Sequence, residues 1–121
     1  ASTLLDPDER AQTILFLASV YARNKPAEAS AWSLERATAS PEFEDSLSGS
    51  VKIWMTADSE AASRWASSLP IGRTRDIAAL AVVEAISSKD TDGAKHWAKD
   101  IRDAALRQKA FDTIERNKPP L

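Results

Sequence analysis

Trp54-Met55-Thr56-Ala57-Asp58-Ser59-Glu60-Ala61-Ala62-Ser63-Arg64-Trp65 is the stretch on which the fold turns. An apolar residue ends one helical stripe, an aspartate stands where a helix cap belongs, and an alanine precedes a tryptophan by three. The arrangement recurs in both directions along the chain. Trp32, Trp65 and Trp97 are 33 and 32 residues apart, with Ala29, Ala62 and Ala94 three residues before them. Tyr21, Trp54 and Ile86 each stand eleven residues before their tryptophan. Leu69 and Ile101 follow the last two by four, and Arg75 and Arg107 are again 32 apart. A fixed period of this length marks one supersecondary unit repeated along the chain.

Around these anchors, apolar residues recur three and four apart, which is the helical period. Ile14, Leu17, Ala18 and Tyr21 form one stripe, Leu47, Val51, Trp54 and Met55 a second, and Ala79, Val82, Val83 and Ile86 a third. Start signals agree. Asp6-Pro7-Asp8-Glu9 and Ser40-Pro41-Glu42 put a capping residue before a proline and acids in the first turn. Asp58 and Asp90 are further caps, Lys25-Pro26 opens another helix, and Leu69-Pro70-Ile71-Gly72 breaks the chain. The pattern predicts seven helices over 8–24, 26–38, 41–56, 58–68, 73–88, 90–100 and 103–116, with 117–121 a tail. No sustained alternation or hairpin-type turn signals a strand.

The fold class that follows is all-α. The expected architecture is one domain over 1–116, a right-handed stack of about three antiparallel hairpins (8–38, 41–68 and 73–100) closed by a capping helix. A single pair of such helices cannot bury its apolar faces alone, and stacking covers them. A closed helical bundle is the competing fold. It would bring Trp32, Trp65 and Trp97 into one cluster, whereas a stack sets them in successive layers. The expected core is Leu17, Tyr21, Ala29, Trp32, Leu47, Trp54, Ala62, Trp65, Leu69, Val82, Ile86, Ala94, Trp97 and Ile101.

The segment Trp54–Pro70 resembles bacterial α/α-repeat proteins of the tetratricopeptide-like class, and the likeness extends loosely over residues 10–114. The resemblance implies scaffold or partner-binding work in place of catalysis.

Composition narrows the chemistry. The chain has 121 residues, 43% hydrophobic and 28% charged, which suits one globular domain. Cysteine is absent, so disulfides, thiol nucleophiles and thiolate-ligated metals are excluded. One histidine, His96, excludes a multi-histidine metal site. Asp92 and Asp100 lie four residues to either side of it, but its place beside Trp97 predicts a solvated edge of a helix. Acidic groups such as Glu42/Glu44/Asp45 and Asp90/Asp92 sit at helix starts, where the dipole accounts for them. Asp90-Thr91-Asp92-Gly93 begins like a calcium loop but lacks its remaining ligands. Phosphate loops and nucleophile elbows are missing. Ser48-Gly49-Ser50 has no neighbouring base and reads as close packing. No catalytic residue, cofactor or metal is therefore expected. The chain opens at Ala1 without a signal-peptide pattern, which reads as a processed form or a fragment and leaves the compartment open.

Net charge is −2 but uneven: residues 1–60 carry 5 basic and 10 acidic side chains, and residues 61–121 carry 11 and 8. Arg64, Arg73, Arg75, Lys95, Lys99, Arg102 and Arg107 are candidates for a basic ridge, and stacking would set Arg75 near Arg107. Asp76, Asp100 and Asp103 would offset it through surface pairs. The function this supports is binding of a protein or peptide, with nucleic acid as the alternative. Open ends of a stack also expose apolar edges through which copies could associate.

Overall fold

The computed structural model describes residues 6–117, and among them every regular element is a helix. These are α1 (Pro7–Asn24), α2 (Pro26–Ala39), a 3-10 turn (Pro41–Phe43), α3 (Glu44–Ala57), α4 (Ser59–Ser68), α5 (Arg73–Ile86), α6 (Thr91–Asp100) and α7 (Ala104–Arg116). The boundaries read from capping chemistry agree within two residues, except around Pro41. There the expected helix divides, because Ser40 makes no side-chain cap and the first turn tightens to 3-10 geometry. The Phe43 ring then lies edge-on to Trp32 at 5.6 Å. The tail at 118–121 lies outside the described residues.

Four aspartates cap as their positions require. Asp6, Asp58, Asp90 and Asp103 accept the backbone N–H groups of Glu9, Ala61, Gly93 and Leu106, at 2.8, 3.1, 2.9 and 2.9 Å. Each bond satisfies one donor that the first helical turn leaves unpaired. Lys25, Asp58 and Asp90 adopt nearly one backbone conformation, with φ/ψ of −141/77, −157/85 and −141/82. The N–H of each donates to Tyr21, Trp54 or Ile86 at 2.7 Å. Sequence positions 33 and 32 apart thus make the same turn.

Gly93 provides a test of that equivalence. A methyl there would run into the Asp90 carboxylate, yet Ala61 already carries one at the matching place behind Asp58. The Asp90 side chain can take up the Asp58 geometry. Gly93→Ala is therefore expected to stabilise the protein by about 0.5–1 kcal/mol through helix propensity. Thermal denaturation reads it as a higher Tm; a lower Tm would show that the cap cannot shift.

Packing follows chain order. The odd-numbered helices contact one another in sequence (α1 with α3, α3 with α5, α5 with α7), and each even-numbered helix packs on the two that flank it. A smaller contact joins α2 and α5. Helix α5 is the centre. Its residues Asp76–Val83 are all buried, as expected of a helix covered on every side. It joins two apolar clusters. One gathers Leu47, Val51, Trp54, Ala62, Ala66 and Val82; the other Val83, Ala94, Ala98, Ile101, Ala110 and Ile114.

The core differs from expectation in two respects. Leu17 is 58% exposed, because α2 and α3 cover the neighbouring face of α1 through Ala18 and Ala22. Tyr21, Trp32, Trp65, Ile86 and Trp97 are half-buried, not fully enclosed. Around each tryptophan it is the small neighbours that have no exposure: Ala29 and Ser33, Ala62 and Ala66, Ala94 and Ala98. Small side chains let the helices approach, and the indoles close the gap from its edge. Their ring partners differ: Trp32 meets Tyr21 and Phe43, whereas Trp65 meets Trp54. Gly49 belongs to the same close packing, since a methyl there would touch Leu15 at 3.8 Å. Between α2 and α3, Ser46 donates to Ser33 in the buried interior at 3.1 Å.

Candidate interaction surface

The N-terminal turn of α5 carries Arg73, Arg75 and Asp76, and the three have different fates. Asp76, 5% exposed, turns inward and accepts the backbone N–H groups of Arg102 (3.2 Å) and Asp103 (3.0 Å). The turn between α6 and α7 is thereby fastened to α5. This corrects the expectation that Asp76 pairs with surface bases. A buried carboxylate persists only where donors meet its oxygens, and here the main chain supplies them.

Arg73 is part of a second clasp. Its Nε and Nη2 donate to the two oxygens of Glu44 at 2.7 and 3.1 Å, and its Nη1 reaches Asp103 at 3.4 Å. The Glu44 bond and charge hold the Arg73 guanidinium above its ordinary pKa, with Asp103 and Asp76 adding to the effect. Glu44 and Asp76 are 32 residues apart, the tryptophan spacing, and each grips the segment leading into a later odd-numbered helix. That coincidence was readable in the sequence beside the tryptophan period; the partners were not.

Two other members of the anticipated ridge are also engaged. Arg64 pairs with Glu60 one turn earlier on α4. Arg107 donates to the carbonyl of Ile101 at 3.1 Å and so supports the same α6–α7 turn. Lys95 is half-buried on α6, and Lys99 and Arg102 are exposed. Arg75 and Arg107, expected as neighbours on one ridge, serve different surroundings: Arg107 a turn, Arg75 a cleft.

That cleft, about 250 Å³, lies between α5 and α6 and is lined by Ser67, Arg75, Asp76, Ala79, His96, Trp97 and Asp100. It adjoins a hollow of about 220 Å³ bounded by Ile71, Arg75, Asp76, Asp100 and Arg102. Arg75, Asp76 and Asp100 are common to both. Together they present a guanidinium, a carboxylate, an imidazole and one edge of an indole. Ser67, His96 and Asp100 share this wall, but among the described residues no hydrogen bond links them; the bonds of the cleft run from Asp76 to the main chain. A larger hollow of about 530 Å³ lies between the α3–α4 turn and the C-terminal end of α5, where Asp58 and Glu60 face Lys89. Its wall contains turn backbone and cap residues already occupied in holding α4.

Among the described residues, no cluster of His, Asp and Glu is arranged to hold a metal ion, and no helix is long and apolar enough to cross a membrane. Comparison of the chain with known protein families, curated proteins and solved structures finds no match.

Proposed function

We propose that this chain is a non-catalytic protein-interaction module, built as a tetratricopeptide-like stack of helical hairpins, that holds a peptide segment in the cleft between α5 and α6. The pairs α1/α2, α3/α4 and α5/α6 are the hairpins and α7 is the closing helix. The contacts of each odd helix with the next, and the shared geometry of the turns at Lys25, Asp58 and Asp90, support that arrangement.

The observation that carries the functional reading is the division of labour among the basic residues. Arg64, Arg73 and Arg107 are spent on internal contacts, whereas Arg75 lines a cleft beside Trp97. A carboxylate of a partner peptide would meet Arg75, and an adjoining apolar side chain the Trp97 edge. A phosphate backbone needs several free cations in a row. Three of the seven candidates are engaged, Asp100 faces Arg75 across the cleft, and the remaining Lys95, Lys99 and Arg102 are interspersed with Asp92, Asp100 and Asp103.

Arg75→Glu tests this. Reversing the charge is expected to reduce capture of a specific partner about tenfold, the usual scale for one well-placed charged contact. Capture by the unaltered protein should change little between about 50 and 200 mM salt, whereas binding through a phosphate backbone falls by orders of magnitude. Arg107 is unsuitable for the same purpose, since reversing it would unseat the Ile101 carbonyl. Specific partners that stay bound to Arg75→Glu would place the binding surface elsewhere.

A further inference from the structure

The end of the molecule opposite to α7 is apolar. Leu15, Phe16, Leu17 and Val20 are 43, 66, 58 and 42% exposed, and all four lie on α1. Apolar side chains exposed together over six residues of one helix mark a contact surface. We infer that a second copy of this chain covers this face, its α1 packed antiparallel to the first about Phe16. The inference goes beyond the peptide cleft and does not depend on it.

What should cover the face follows from how the other odd helices are built. Steps of 33 and then 32 lead from Phe16 and Leu17 to Gly49 and Ser50, Ala81 and Val82, and Thr113 and Ile114. Ser50, Ala81, Val82, Thr113 and Ile114 are buried and Gly49 is half-buried. Where a preceding hairpin closes in, the position matching Phe16 is glycine, alanine or threonine. A phenylalanine cannot fit so close an approach. The α1 face is therefore shaped for a more distant helix, not for one more hairpin of the same kind. The far end of the molecule is no match for it either. On α7, Gln108, Lys109, Asp112 and Glu115 are exposed, so head-to-tail stacking would set charges on apolar side chains.

Charge then selects the direction. Glu9, Phe16 and Arg23 are spaced by seven, which keeps them on one face of a helix, with Thr13 and Val20 between. Glu9 and Arg23 are exposed, and neither has an ion-pair partner among the described residues. In an antiparallel pair centred on Phe16, each Glu9 lies opposite the other copy's Arg23, about 10 Å from the dyad at 1.5 Å per residue. The two phenyl rings meet at the centre. A parallel pair would set Glu9 on Glu9 and Arg23 on Arg23. The antiparallel arrangement is isologous and closes at two copies.

Sedimentation of the full chain between about 1 μM and 1 mM tests the inference, with circular dichroism as the check on folding. The unaltered chain should form a dimer. Phe16→Asp should raise its dissociation constant about 100-fold, as for a central aromatic anchor. Glu9→Arg and Arg23→Glu should each weaken the dimer about tenfold by creating two repulsive pairs. Glu9→Arg combined with Arg23→Glu should return it to within about threefold of the original, because the pairs re-form with their signs exchanged. Arg75→Glu should remain dimeric, which separates this surface from the cleft. A chain that is monomeric at 1 mM, a dimer indifferent to Phe16→Asp, or a charge exchange without rescue would each overturn it.

Discussion

Leu47→Ala is expected to destabilise the protein by about 3–4 kcal/mol, within the range for emptying a buried leucine site. Leu47 has no exposure and lies in the cluster that α3 builds with α5, beside Val51, Trp54 and Val82. Helices α1, α2 and α5 all pack on α3. Collapse of the surrounding helices into the space is hindered because Ala62, Ala66 and Ala78 already allow close contact there. For a domain whose whole stability is on the order of 5–15 kcal/mol, such a loss is a large fraction. Urea denaturation followed by tryptophan fluorescence measures it. Leu17→Ala, measured at a protein concentration low enough to keep the chain monomeric, is the control: at 58% exposure it should change stability by less than about 0.5 kcal/mol. Equal losses at the two positions would refute the placement of α1.

Asp76→Ala is expected to cost about 2–4 kcal/mol, because the N–H groups of Arg102 and Asp103 would lose a charged acceptor while remaining partly buried. The loss should be concentrated at the α6–α7 turn. Hydrogen exchange at those two amides is expected to accelerate more than exchange within α3. Asp76→Asn, which keeps one carbonyl acceptor, should fall between the two. If all three proteins unfold at the same urea concentration, Asp76 is not the clasp.

Much of the local structure was legible because its causes are local. Asp58, Asp90 and the prolines at 7, 26 and 41 mark helix starts through bonds that span three or four residues. The apolar stripe of α3 was read correctly, down to Leu47 and Val51, since one face of that helix is covered along its length. The stripe of α1 does not coincide with its buried face. Ile14, Leu17, Ala18 and Tyr21 have helical spacing, but spacing cannot say on which side the next helix lies. Among equally apolar neighbours, α2 and α3 enclose Ala18 and Ala22 and leave Leu17 outside.

The candidate site divides the same way. Arg75 stands out in the sequence as a basic residue at the repeat period, whereas Trp97 reads there as a core residue and its exposed edge on the cleft comes only from the packing. Asp76 reads in the sequence as a surface acid, because the backbone donors it accepts from, at Arg102 and Asp103, are 26 and 27 residues away. Arg73 reads as a free cation for the same reason, since Glu44 and Asp103 are 29 and 30 residues away, and Arg107 does so because its acceptor is a main-chain carbonyl, which no residue type marks. The sequence by itself determined an all-helical chain, the places where its helices start and stop, and the three matching turns, all set by interactions within about one helical turn. Only the tertiary structure decided which face of each helix is buried and which charged side chains are spent on the fold. Those outcomes depend on side chains brought together from distant segments, whose burial and pairing exist only once the helices have packed.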